Sequence, residues 1–514
     1  MPRFDVTRTP HAQWGDAVAR EILAAYPGRA LYTTASGISP SGVVHFGNFR
    51  DIITSHVVAR ALKEHGVEAQ LLFSWDNFDR LRKVPAGVPA SFAAHIGKPL
   101  SKIPDPCGAH SSYAEHFQEP FEEAMRLLSI PVVYRNQTAL YESGVYDDAI
   151  FHALKRRDEI AEILLSYMTE KGKAEKGIDP SEYRANYYPI SLYSRFSGTD
   201  NTKILSYDGM TTVTYFCADT QQEDTVDLSK VHIAKLSWKI DWPMRWKHES
   251  VVFEPGGHDH ASPGGSYDVA SVIAPRIFDY QPPVFVEYKF VGIQGLGTKM
   301  SGSKGNAVSP LELLEIYEPE LLTWLYLRKS PDQSFQLAFD SEIYRQYDEF
   351  DTEMQKNALP FRQAVGFGQI VQWQPDKLRA ILAGMELSYD DASIERRLPL
   401  ARAWLTKYNR EEAIVMRSEI NAAYVTTMSE DQKARVRALR DALSETVAET
   451  IKELEQLVYS IPKRPESDPE TLKKDQRAFF KDVYNLLIGT DTGPRLGTFL
   501  WASDRAQLRA LLSI

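Results

Sequence analysis

Two stretches of the chain, more than a hundred residues apart, each read as strand, glycine-rich turn, helix and second strand. The first starts near residue 30 with ALYTTA, passes a Gly/Ser/Pro-rich turn and enters HFGNFRDIITSHVVARALKEHG, whose apolar residues recur at helical spacing. The apolar run from Gln70 to Trp75 then ends in the polar cluster Asp76-Asn77-Phe78-Asp79, which predicts a second parallel strand with its polar end at a ligand edge. The second stretch starts near Val251-Val252-Phe253-Glu254, continues through a glycine-rich loop and a helical segment after Asp268, and reaches VFVEYKF at 284–290. Half-sheets this far apart predict an α/β chain: a doubly wound parallel-sheet, Rossmann-like domain at 1–97 and 236–300, split by an insertion over 98–235. Beyond residue 330 only six of the 29 glycines remain, and stretches such as DQKARVRALRDALSETVAETIKELEQLVYSI are amphipathic helix formers. An all-α C-terminal domain follows.

A length of 514 residues suits two to four domains. The N-terminal MPRFDVTRTPHAQWGDAVAR lacks the apolar run of a signal peptide, and no membrane-spanning run occurs, so a cytoplasmic protein with no membrane partner is expected. The net charge of −10 excludes a general nucleic-acid coat but leaves room for a local basic face that meets tRNA. Cys107 and Cys217 are the only cysteines, so neither a disulfide framework nor a four-cysteine metal site is expected.

Chemistry concentrates in two loops. Pro40-Ser41-Gly42-Val43-Val44-His45-Phe46-Gly47-Asn48 lies between a strand and a helix, and puts His45 where helix-end donors point at anions. Gly42 permits a tight turn, and Gly47 leaves room for adenine or phosphate to approach the backbone. Thr298-Lys299-Met300-Ser301-Gly302-Ser303-Lys304-Gly305-Asn306 carries two lysines and two hydroxyls of the kind that stabilise charge on a leaving pyrophosphate. Read alone, each loop also fits a surface turn or a flexible basic segment.

Together and in this order the loops resemble the HIGH and KMSKS signatures of class I aminoacyl-tRNA synthetases, with Gly302 where the second usually has lysine. SGISPSGVVHFGN, DRLRKVPAGVP, KLSWKIDWPMRW and FEPGGHDHASPGGSYD are similar to blocks of class I lysyl-tRNA synthetases over most of residues 30 to 310. The resemblance implies that lysine is activated by ATP, carried with Mg2+, and passed to the 2′-hydroxyl of the terminal adenosine of tRNA(Lys). It implies catalytic roles for His45, Lys299 and Lys304. ATP would be held by Pro40, Ser41, His45, Gly47 and Asn48, by Gly257 and Asp259, and by Lys299, Met300, Ser301 and Ser303 of the closing loop. Lysine selection needs an anion and an aromatic-walled slot, for which Gly37, Ser39, Asp76, Trp242, His260 and Tyr288 are the candidates. The insertion would lie on the acceptor-stem side, residues 301–365 would form the KMSKS loop and a helical connecting domain, and 366–514 would bind the anticodon.

Relatives in this family often carry two C-x-x-C pairs in the insertion, a spacing typical of zinc ribbons. Here Ser191 and Ser194 stand at that spacing and Cys217 is followed by Thr220, so no structural zinc is expected, and no metal residue is assigned. Three other readings stay open. A glutamyl-tRNA synthetase of class I shares both loops but not the WKIDWPMRW and LRKVP segments. A small-molecule adenylyl or nucleotidyl transferase has no use for a long helical C-terminal domain. A catalytically silent tRNA-binding paralogue has no need of His45, Lys299 and Lys304.

Overall fold

The computed structural model describes residues 13–170, 173, 177–294, 308–443, 450–464 and 468–514. Residues 1–314 with 319–337 make one compact unit, and 315–318 with 338–514 a second.

The first unit opens with α1 (Gln13–Ala25), β1 (Tyr32–Ile38), α2 (Phe46–Glu64), β2 (Ala69–Trp75), α3 (Tyr113–Leu127) and β3 (Val133–Asn136). Short strands follow: β4 (Ile190–Leu192), β5 (Thr202–Tyr207), β6 (Thr212–Cys217), β7 (Gln222–Asp227) and β8 (Ala234–Leu236). The chain then returns through α4 (Trp238–His248), β9 (Val251–Gly257), α5 (Ser266–Ile277) and β10 (Val284–Tyr288). Five parallel strands form one sheet in the order β10-β9-β1-β2-β3. The edge strand β3 comes from inside the 98–235 stretch; its short VYRN pattern, mostly polar and partly exposed, gave the sequence reading no strand signal. β5, β6 and β7 form a separate antiparallel sheet, and β4 pairs with β8.

Helices cover both faces of the parallel sheet, as the near-continuous apolar run of β2 requires. On one face Ala19 and Ile22 of α1 and Val58 and Leu62 of α2 pack with Tyr32, Val252 and Phe253. On the other, Trp242 and Trp246 of α4 and Ala270 and Ala274 of α5 pack with Ala35, Leu72 and Val251. Each large apolar side chain buried this way contributes about 1.5–3 kcal/mol. Going out from β1, the chain winds to β2 on one side and to β9 and β10 on the other. The carboxyl ends of β1 and β9 therefore flank a topological switch point, where open α/β sheets hold ligands.

The second unit is helical. α6 (Glu342–Glu353), α7 (Phe361–Ile370) and α8 (Asp391–Tyr408) pack together, with Tyr347 and Phe361 stacked at 4.1 Å. Arg397 of α8 is fully buried and paired with Glu318 at 3.1 Å and with Asp351 at 2.6 Å. α9 (Pro469–Leu487) anchors the last core through Phe479, Val483 and Leu487. Residues 338–365 thus pack with the helices that follow them.

Candidate functional site

His45 is the N-cap of α2. Its Nδ1 accepts the Gly47 N–H at 3.0 Å, and its own N–H donates to Asn48 Oδ1 at 3.2 Å, a closed capping box. Burial lowers the His45 pKa, so the ring is neutral near pH 7. With Nδ1 accepting, the proton sits on Nε2, and the ring offers an Nε2–H donor beside the positive end of the helix. A Cβ on residue 47 would lie 2.8 Å from His45 Cε1. A side chain at residue 47 would strike the cap histidine, so the cap itself requires glycine there. Beyond the second loop, the Val308 carbonyl accepts the Phe46 N–H at 2.9 Å, so that loop's C-terminal flank is tied to the start of α2. Ser39, Ser41, His45 and Asn48 line one cavity with Arg80, Arg82 and Lys83.

A second cavity opens at the switch point. Five of the six lysine candidates, Gly37, Asp76, Trp242, His260 and Tyr288, line it together, and Asn48 reaches it as well. Ser39 lines the neighbouring cavities instead. Pro40 is buried, Gly257 closes β9 with Tyr288 as its neighbour, and Asp259 is exposed in a short helix at 258–261. Lys299, Met300, Ser301, Ser303 and Lys304 lie outside the described residues.

The sequence reading missed the acids of this pocket. Asp51 projects from α2 one turn after Asn48. Burial and then the nearby Glu254 push its carboxyl up to about 8, against hydrogen bonds from Ser36, Tyr288 and the Gly37 backbone. Burial pushes Glu254 up to about 7, although the Trp246 indole N–H donates to it at 2.7 Å. Neither acid forms an ion pair with a described residue. The walls are Trp238, Trp242 and Trp246, four residues apart on α4, with successive ring centroids 5.1 Å apart. Trp242 Nε1 and His260 Nδ1 are buried without hydrogen-bond partners among the described residues. Two signals were legible: three tryptophans at i, i+4, i+8, and a lone carboxylate in the apolar strand VVFEPGG.

Asp76 is already engaged. Arg245 pairs with both Asp76 and Asp241, donates to Ser74 Oγ at 3.2 Å, and lies 5.6 Å from the Trp238 ring centroid. Lys235 joins Asp241 at 3.3 Å and Asp79 at 2.8 Å. Burial works against this charged chain, but the two carboxylates hold Arg245 protonated far above its usual range. The network fixes the pocket wall and leaves Asp51 and Glu254 as the unpaired acids.

The expectation of no metal residue rested on counting cysteines, and it overlooked mixed ligands. The only metal-competent group among the described residues is Asp105, Cys107, His110 and His116, whose ligand atoms all lie within 4.8 Å of one another. Cys107 Sγ is 3.6 Å from His110 Nδ1, 3.4 Å from His116 Nδ1 and 3.2 Å from Asp105, and Asp105 reaches the two histidines at 3.1 and 2.9 Å. A tetrahedral zinc with ordinary N, O and S bond lengths has ligand–ligand edges of about 3.3–3.6 Å. The donor set fits. At the other cysteine, two of the three hydroxyls named from the sequence, Ser194 and Thr220, are beside the thiol, and Ser191 is not. Ser191 is committed to the β4–β8 ladder opposite Lys235, whereas Ser194 and Ser197, past the strand end, reach Cys217 together with Thr220. Burial raises the Cys217 thiol, but hydrogen bonds from Ser194, Thr220 and Ser197 outweigh it and bring it down to about 7.

The family of tRNA synthetases class I (K) matches residues 12–365. A lysine-tRNA ligase of Streptomyces coelicolor is 36% identical, covering 98% of this chain and 98% of its own. One of Pyrococcus horikoshii is 32% identical, covering 96% and 98%. Among solved structures, a glutamate tRNA ligase from Elizabethkingia meningosepticum overlays with a TM-score of 0.46 at 9% identity, covering 94% of this chain and 98% of that one. The chain belongs to the class I (K) tRNA synthetases.

Proposed function

We propose that this enzyme is a lysine-tRNA ligase that forms lysyl adenylate from lysine and ATP and transfers the lysyl group to the 2′-hydroxyl of the terminal adenosine of tRNA(Lys). The observation that carries the lysine reading is the switch-point cavity, where two carboxylates without a cation face each other inside tryptophan walls. A side-chain ammonium placed there gains both charges and an aromatic wall. The relatives named lysine-tRNA ligases at 36% and 32% identity over nearly the whole chain support the same reading.

In the first step the lysine carboxylate attacks the α-phosphorus of ATP and pyrophosphate leaves. No side-chain nucleophile is required; the protein aligns the reactants and stabilises charge. The His45 Nε2–H and the α2 N-terminus supply donors to phosphate oxygens. Lys299, Met300, Ser301, Ser303 and Lys304 are assigned to the leaving pyrophosphate on the family resemblance, with Mg2+ accompanying the ATP. The 98–235 segment faces the acceptor stem, and the helical region beyond 366 reads the anticodon. Asp105, Cys107, His110 and His116 would hold a zinc ion, and four protein ligands would suit a structural rather than a catalytic role. No helix among the described residues is long and apolar enough to cross a membrane, and substrates of this kind belong to the cytoplasm.

The test is aminoacylation of tRNA by the full chain, with lysine against norleucine, its analogue without the ε-amine. A site built around Asp51 and Glu254 rejects norleucine by about 10³-fold or more in kcat/KM, because a terminal methyl offers neither acid a charge or a hydrogen bond. Equal use of the two amino acids would remove the lysine reading.

A further inference from the structure

The DRLRKVP segment has no role in the chemistry above, yet it borders the His45 cavity. Its backbone is fixed on both sides. The Leu81 N–H donates to the Lys98 carbonyl at 2.9 Å, its carbonyl accepts from Gly97 N–H at 2.9 Å, and the Leu81 side chain is fully buried. Arg80 and Arg82, to either side of Leu81, both line the cavity, together with Lys83. Two of its charged groups are already neutralised: Asp79 by Lys235 at 2.8 Å and Arg80 by Asp200 at 2.9 Å. Arg82 and Lys83 are exposed and form no ion pair with a described residue. A rigid loop thus presents two unspent cations across a cavity from the N-terminus of a 19-residue helix capped by a neutral histidine donor. Such an arrangement suits an anion with several phosphate oxygens.

We propose that Arg82 and Lys83 bind phosphate at the mouth of the His45 cavity, namely the β- and γ-phosphates of ATP and the pyrophosphate that leaves. The assignment rests on the ligase reading. The other source of the same chemistry is the phosphate backbone at the tRNA 3′ end, which reaches this cavity only in the second step. The two sources therefore separate by step.

The experiment uses full-length Arg82→Ala, Lys83→Ala and the double variant, with Arg82→Lys as the conservative control. ATP–pyrophosphate exchange gives the activation step and the KM for pyrophosphate; single-turnover transfer from preformed lysyl adenylate gives the second step. Each alanine variant is expected to lower exchange by about 10–100-fold and to raise the pyrophosphate KM, with transfer within about twofold of wild type, and Arg82→Lys recovers part of the loss. An unchanged thermal midpoint shows that the fold survives, as exposed side chains allow. Loss of transfer with normal exchange would assign the cations to tRNA and overturn the proposal, and so would variants normal in both steps. Wild-type enzyme without lysine-dependent exchange, both in the absence and in the presence of tRNA, would overturn the ligase reading instead.

Discussion

Lysine binding should release protons, by an amount the pocket sets. Asp51 titrates at about 8 and Glu254 at about 7, so in the empty enzyme at pH 7 roughly 0.9 and 0.5 protons sit on them. An ammonium between the two pulls both pKa values down, and up to ~1.4 protons leave per lysine bound, or at least ~0.5 if a single acid ionises. The Kd for lysine should therefore fall by about 5- to 50-fold between pH 6 and pH 7, the lower figure if Glu254 alone ionises, and level off above about pH 8.5, while the ε-amine stays charged throughout. His45 does not contribute, since its pKa is lowered and its ring is already neutral. The sign for stability runs the opposite way. Both folded pKa values lie above those of the unfolded chain, so the native state binds more protons between about pH 4 and pH 8 and ligand-free stability declines as pH rises through that window. Added lysine reverses the decline. Calorimetry in buffers of different ionisation enthalpy counts the protons directly, and Asp51→Asn should remove most of them and weaken lysine by ~30-fold, about 2 kcal/mol. Release below ~0.2 proton with a flat Kd from pH 6 to pH 8 would refute the reasoning.

Three further outcomes are expected. Arg397→Ala takes from buried Glu318 its closest cation, leaving it Arg396 at 3.4 Å and Lys356 at 4.0 Å, and should cost about 3 kcal/mol, read as a lowered denaturation midpoint, whereas a loss under about 1 kcal/mol would mean that those two cations suffice. Elemental analysis should find about one zinc per chain, lost in His110→Ala or Asp105→Ala, and a strong chelator should lower the thermal midpoint; metal-free protein with an unchanged midpoint would count against the mixed-ligand site. His45→Ala removes the α2 cap and the Nε2–H donor together, so it should cost about 1 kcal/mol of stability and slow adenylate formation by about 10²–10³-fold.

The sheet was legible because both halves carry the buried parallel-strand pattern followed by glycine and a helix. β3 was not, because a four-residue VYRN edge strand has neither apolar alternation nor length. The cap at the start of the second helix was legible, since His45 and Asn48 are neighbours in sequence and act through one helix terminus. The two unpaired acids of the switch-point cavity were not. Asp51 and Glu254 stand 203 positions apart, on a helix and a strand that meet only across the folded sheet. Asp76, taken from its place at a strand end, looked as good a ligand until Arg245, 169 residues away, proved to occupy it. Counting cysteines did not weigh mixed ligands: two cysteines cannot make a thiolate cage, but Asp105, His110 and His116 lie within a dozen residues of one another and gather around Cys107.

The most direct test of lysine activation at the switch-point cavity is ATP–pyrophosphate exchange by the purified full chain with each of the twenty amino acids, with and without tRNA. Exchange that depends on lysine and is at most marginal with glutamate, arginine and the rest is the expected result. Exchange with glutamate in place of lysine, or with no amino acid under either condition, would contradict it.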